Sequence, residues 1–255
     1  MSFLRRARHD FVLKNENRKH IVFMIAEVLL IFVGITSALQ LESWSELNGQ
    51  RERELLLLNQ IKNELTLINL DVQDDLHLIK LRSEKSIRLY KMCGNTTPDI
   101  SEFDFMSLIQ DVFETNTFNP QYSVIDEAIN TGSLALIQNN ELRHVLYQNN
   151  KNAEKVKQYV EKFNTYIFEF ALNHHLKYVP YRNWDNREYN DLDIGTTKIN
   201  SNVFFLLDDL YFENQVGMVF FYCQRFMVWY NEDIIRQNEE LIERITVELN
   251  LRTAL

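Results

Sequence analysis

The chain has 255 residues, of which 45% are apolar and 25% charged, the proportions of an ordinary folded protein. Six Gly and three Pro are too few for a collagen-like, linker-rich or disordered chain, and too few for the frequent turns of an all-β protein. Two cysteines, Cys93 and Cys223, exclude a disulfide framework and a zinc ribbon, and the net charge of −9 does not suggest a nucleic-acid binder.

Residues 1–20 form a basic segment. Arg5, Arg6, Arg8, Lys14, Arg18 and Lys19 stand against Asp10 and Glu16, a net charge of +4. Residues 21–39 follow as an apolar run whose only charge is Glu27. A membrane-crossing helix needs about 20 such residues. Thr36-Ser37-Ala38 could serve as a cleavage site, but the run is long for a signal peptide, and the helical pattern continues through Leu41 and Trp44. The expectation is a retained single span. Basic flanks stay in the cytoplasm, and Glu42 and Glu46 precede the first base on the far side. The N-terminus is therefore expected inside the bacterial inner membrane and the large domain in the periplasm. The alternative is a cytoplasmic large domain.

An ionisable group within a span costs about 2.5–3.5 kcal/mol on insertion scales. At about 100° per residue, Gly34 and Ala38 share a helical stripe with Glu27. Gly34 and Ala38 form a small-xxx-small pair, which permits close approach of two helices. The expectation is a homo-oligomer packed through Gly34 and Ala38, with Glu27 facing inward as a candidate pore residue. The simpler reading is a protonated Glu27 that hydrogen-bonds between helices.

Residues 40–93 read as one long connecting helix. Leu58, Ile61, Leu65, Ile68 and Val72 recur at 3-4 spacing, a seam that Asp74 and Asp75 interrupt. Packing within the chain is favoured over an intermolecular coiled coil, because only about two heptads are sustained and a coiled coil needs three to four. Residues 94–255 are expected to form a helical bundle domain. Gly94 to Pro98 stops the long helix, and Ser101 to Asp104 fits a capping box opening a short one. Asn119-Pro120 is expected to start the next, and Gly132 to end it in a left-handed cap. Asn139-Asn140 caps a helix to about Tyr178. Pro180 to Asn202 reads as a polar loop, and a last helix runs from about Asn202 to Leu251. Within it, Val216 to Tyr230 is apolar and aromatic but too short and too polar to cross a membrane. The fold class is all-α, with a single span continuing into a long helix and then an antiparallel bundle.

No residues stand out as catalytic, metal-binding or cofactor-binding. His174 and His175 are adjacent, so their side chains diverge by about 100° and do not converge on one ion. Asp191-x-Asp193-x-Gly195 has the start of a calcium loop, but the twelfth position is Asn202 rather than an acid. Cys93 and Cys223 would sit in an oxidising compartment, yet the unpaired state is favoured for a Cys in an apolar stretch. Lys151, Lys155, Lys157 and Lys162 are interrupted by Glu154 and Glu161, as on a solvated helix face.

Two stretches, Ile25 to Gln40 followed by Trp44, and Thr131 to Arg143, resemble a family of uncharacterised single-pass bacterial membrane proteins. The first is similar in its early Glu, central Gly and Ala-Leu-Gln ending, and the second in its G-x-L-x-L-I…L-R element. The resemblance implies the same architecture and carries no assigned activity. The function expected is that of a non-enzymatic, homo-oligomeric membrane protein whose helical domain senses or binds a ligand and controls the span, a small ion channel or membrane effector being one form of it. The alternative is a membrane-tethered scaffold binding a partner protein. The lipid bilayer and a second copy of the chain are the expected partners; the ligand or protein partner is not identified.

Overall fold

The computed structural model describes residues 3–95, 97–115, 120–183 and 195–253, with side chains described within 24–95, 97–115, 120–183 and 195–251. Every described element is helical. The chain divides into two compact units, Met1–Leu55 and Leu56–Leu255.

Helix α1 spans Phe3–Met92. Its stretch from Met24 onward contains a window with a mean hydropathy of 2.0, none of it buried, and it is long and apolar enough to cross a membrane. Among the described residues no other helix meets that criterion. In the first unit Met24, Leu30, Phe32 and Leu39 stand exposed. The Thr36 hydroxyl donates to the carbonyls of Phe32 at 2.7 Å and Val33 at 3.1 Å, so this polar group is satisfied within the helix.

The second unit has its own apolar core. Leu58, Ile61, Leu65, Ile68 and Val72 are all buried in it, so their seam is filled by the chain itself. The seam also extends further than the leucines and isoleucines advertise. Asp75 occupies the next position, then Ile79, Arg82, Ser86 and Leu89 follow at the same 3-4 spacing, all four buried. The polar members are held locally: Ser86 donates to the Arg82 carbonyl at 2.8 Å, and Arg82 reaches the Thr115 carbonyl at 3.5 Å. The Asp75 carboxyl, half-buried, is pushed up from its usual range by desolvation first and by Asp71 and Asp74 second.

Helix α2 is Glu102–Phe113, and α3 is Ser123–Thr131. Ser101 caps α2 by accepting from the Asp104 N–H at 3.0 Å, and donates its own hydroxyl to Asp104 Oδ2 at 2.7 Å. The box is thus closed through the hydroxyl. Helix α3 begins three residues after Pro120 instead of on it, and Tyr122 at its N-cap offers no side-chain bond. The missing cap comes from α1. Glu64, buried, accepts from Val124 N–H at 2.7 Å, Ile125 N–H at 3.2 Å and the Ser123 hydroxyl at 3.0 Å. A carboxylate is favoured there by the orphan N–H groups and the helix dipole.

Gly132 ends α3 at φ +77, a left-handed conformation suited to glycine. A 3-10 turn, Ser133–Leu136, leads to α4, Asn140–Tyr166, which Asn139 caps by accepting from the N–H groups of Glu141 and Leu142 at 3.1 Å each. Leu134, Ile137 and Leu142 are buried and Arg143 donates to the Ile137 carbonyl, so the element from Gly132 to Arg143 works as a rigid corner between two helices.

Helix α4 continues without a break through a π turn at Ile167–Leu172 and the short α5, Asn173–His175, and so ends close to the expected Tyr178. The last helix differs from expectation at its start. Residues Val203–Asp208 form a 3-10 turn, and α6, Leu210–Trp229, starts at a new cap, where Asp209 accepts from Tyr211 N–H at 2.8 Å. A second π turn, Tyr230–Ile235, joins α6 to α7, Arg236–Thr253.

Pairings between these helices share one register. Asn69 with Asn238, Ser83 with Gln224 and Tyr90 with Gly217 join α1 to α7 and α6, residue numbers falling along one as they rise along the other. Glu141 with Arg244, Asn149 with Asn238, and Tyr159 stacked on Trp229 at 4.4 Å do the same for α4. Val216, Val219, Cys223, Phe226 and Tyr230 are buried, so the aromatic stretch is core, not a second span.

Candidate functional site

Glu27, Gly34 and Ala38 all lie exposed on α1. Their spacing of seven and four residues places them on one stripe. A Cβ built on Gly34 would meet nothing within 4 Å, so no contact inside the chain requires a glycine there. The small residues leave a shallow surface flanked by the exposed Ile31 and Ile35.

The second unit carries a buried polar line through its core. Asn238 donates to Asn69 Oδ1 at 2.8 Å and its own Oδ1 accepts from Asn149 Nδ2 at 2.9 Å and from the Tyr122 hydroxyl at 3.4 Å. Burial pushes the Tyr122 phenol well above its usual range. Asn69 Nδ2 in turn donates to the Ile235 carbonyl at 3.4 Å, at the end of the second π turn. The first π turn is served in the same way: Gln215 Nε2 donates to the Phe170 carbonyl at 3.3 Å. A π turn changes the regular hydrogen-bond ladder of its helix, and amide side chains from other helices bond carbonyls at both places.

His174 and His175 do diverge. Their ring centroids are 6.1 Å apart. His174 Nε2 lies 2.8 Å from Asp209 Oδ2, and Tyr211 packs edge-on against its ring at 4.8 Å. Asp209 therefore caps α6 with one oxygen and holds His174 with the other. His175 is set between Phe113, at 4.4 Å, and Phe212, at 5.4 Å. Desolvation, reinforced by neighbouring His174, pushes its pKa down to about 4. Its Nε2 is fully buried, with the Gln215 side chain as its polar neighbour. Neighbouring the imidazole is a cavity of about 420 Å³.

Cys93 and Cys223 are free thiols, both pushed up to about 11 by burial. That makes them poor nucleophiles. Asp185, Glu188, Asp191 and Asp193 lie outside the described residues. Lys151 and Lys155 face solvent on α4, and Lys162 sits over the Tyr159 ring at 5.4 Å.

A feature that the sequence pattern hid is on the other face of α1. Leu67, Leu70, Leu78 and Leu81 are exposed, and by helical spacing they form one stripe opposite the buried seam. Polar residues such as Asp74 interrupt this stripe, so its apolar character is not evident from the sequence pattern.

Comparison with protein-family models, with curated proteins and with solved structures found no match.

Proposed function

We propose that this chain is a non-enzymatic, single-pass inner-membrane protein that self-associates through its span, and that its helical domain, an antiparallel bundle, receives a ligand and controls the assembled spans. The observation that carries this reading is the Glu27, Gly34, Ala38 stripe: an acid in a span, aligned with two small residues, with open space at Gly34. A buried acid is tolerated in lipid when it faces other protein or water. The resemblance of residues 25–40 and 131–143 to single-pass bacterial membrane proteins supports the architecture, and the cavity beside His175 supports a ligand.

The experiment is crosslinking of the full chain in membranes with Gly34→Leu. A leucine there forces the backbones apart, so crosslinked species should fall several-fold while membrane insertion stays unchanged. Retention of full crosslinking would remove the span as the contact surface. The exposed leucine stripe of α1 favours a second reading, a membrane-tethered scaffold whose partner covers Leu67, Leu70, Leu78 and Leu81. Glu27→Gln separates the two: it changes ion flux in reconstituted liposomes if the spans form a conducting assembly, and leaves a scaffold working.

A further inference from the structure

A smaller cavity, of about 190 Å³, lies between α1 and the C-terminal end of α2, and shares Glu114 and Thr115 with the cavity beside His175. Drug-sized sites run from roughly 300 to 1,000 Å³, so the occupant here is a smaller molecule. The residue that sets its chemistry is Arg82, which lines it and is only 7% exposed. A guanidinium is always charged, and a buried charge is costly without a close counter-charge. Among the described residues no carboxylate lies within hydrogen-bonding distance of it. Its Nη2 is 3.5 Å from the Thr115 carbonyl and 4.0 Å from Glu114 Oε2, both long, and its Nε is enclosed without a hydrogen bond. Cys223, which feels the same guanidinium, is a neutral thiol, pushed up to about 11 by burial. The other base in the wall, Lys85, is already held by Asp111 at 2.7 Å. Nη2 faces Glu114 and Thr115, both in the cavity wall, so the tip of the guanidinium is open to a carboxylate there.

A plain anion fits less well than a zwitterion. Glu114 stands beside the position, and α2 ends at Phe113, so the negative end of its dipole lies there too. A cationic group close to the carboxylate is therefore favoured. Arg82 and Glu114 are too far apart to bond each other directly, yet near enough to hold two adjacent groups of one small molecule. Leu78, Ile79 and Leu81 make another part of the wall apolar.

We infer that this cavity binds a free α-amino acid with an apolar side chain. Its carboxylate pairs with Arg82, its ammonium with Glu114, and its side chain packs on Leu78 and Leu81. This names the ligand class for the domain read above as a ligand receiver, and rests on that reading.

The test uses the full chain in lipid nanodiscs, with empty nanodiscs subtracted. Leucine, isoleucine, valine and methionine are each titrated by equilibrium dialysis, and at least one should show a single saturable site per chain. For the tightest of them, the analogue lacking the amino group (4-methylpentanoate in the case of leucine) should bind about tenfold more weakly, a difference of about 1.4 kcal/mol. The analogue lacking the carboxylate (3-methylbutylamine for leucine) and inorganic phosphate should not compete. Arg82→Met keeps an apolar stem, removes the charge and should abolish binding. Glu114→Gln, at an exposed position, should bring the amino acid down to the affinity of its analogue without the amino group. Circular dichroism establishes that both variants are folded, and the comparison of probes on the unaltered chain requires no variant at all. No saturable site for any of the four, equal affinity for the amino acid and its analogue without the amino group, competition by phosphate or the amine, or undiminished binding by Arg82→Met would each overturn the proposal. Span crosslinking is read separately, with and without the amino acid. Binding with unchanged crosslinking would remove control of the spans and leave the site standing, and absent binding would leave self-association untouched.

Discussion

Asn238 shows how much one residue can hold. It is fully buried and bonds three partners from three parts of the chain: Asn69, Asn149 and Tyr122. Asn238→Leu has a similar volume but leaves Asn69 Oδ1 and Asn149 Nδ2 unpaired in the core. The expected loss is roughly 2–4 kcal/mol, since each orphaned buried group costs about 1–3 kcal/mol. Urea denaturation, reading the midpoint at unchanged slope, checks it; a variant within about 0.5 kcal/mol of the parent would mean that water replaces the lost bonds. His175 gives a pH dependence. Its folded pKa of about 4 lies below the unfolded value near 6.5. The unfolded chain thus takes up the proton first as pH falls. Stability is fully present above about 6.5 and is lost as pH drops towards 4, by at most roughly 3 kcal/mol. Melting curves from pH 7 to pH 4 should fall less steeply for His175→Phe than for the parent. Parallel slopes would place the pH sensitivity elsewhere.

Among the elements, α3 is the one whose start is not encoded locally. Tyr122 cannot cap it, and Glu64, fifty-nine residues upstream of Ser123, does so instead. Glu64→Ala should therefore cost about 1–2 kcal/mol, the size of a lost cap, and should speed amide hydrogen exchange at Val124 and Ile125 selectively. Uniform exchange across the unit would show that Glu64 serves general packing and not the α3 terminus. This case also marks the limit of reading elements from sequence. Local chemistry was legible: Ser101, Gly132 and Asn139 cap where their side chains and backbone preferences say they should, and the seam from Leu58 to Val72 is buried. What escaped depends on distant partners. The seam past Asp75 was invisible because Arg82 and Ser86 look polar until their hydrogen bonds are seen. The two π turns have no sequence signature, and their Gln215 and Asn69 donors come from other helices. The extra cap at Asp209 splits a helix whose apolar pattern reads straight through from Val203. Of the candidate sites, Glu27, Gly34 and Ala38 were evident from spacing alone, whereas the cavity beside His175 needs α2 and the first π turn to be brought together.

On the scale of the whole molecule, the unequal charge on either side of the span has a directional consequence. Residues 1–20 hold six bases and two acids, while the residues after position 39 hold twenty-one bases and thirty-three acids, a net −12. Orientation follows the bases within about 15–20 residues of the span ends. On the N-terminal side all six lie in that window; on the other, Glu42, Glu46, Glu52 and Glu54 share it with Arg51 and Arg53. If the N-terminal flank is retained in the cytoplasm, as the proposed topology requires, the helical domain lies outside. Protease added to spheroplasts should then degrade the domain, leaving a protected fragment that contains residues 1–39, while inverted vesicles should shield the domain. The reverse pattern would place the domain in the cytoplasm, and the ligand of that domain would then be an internal one.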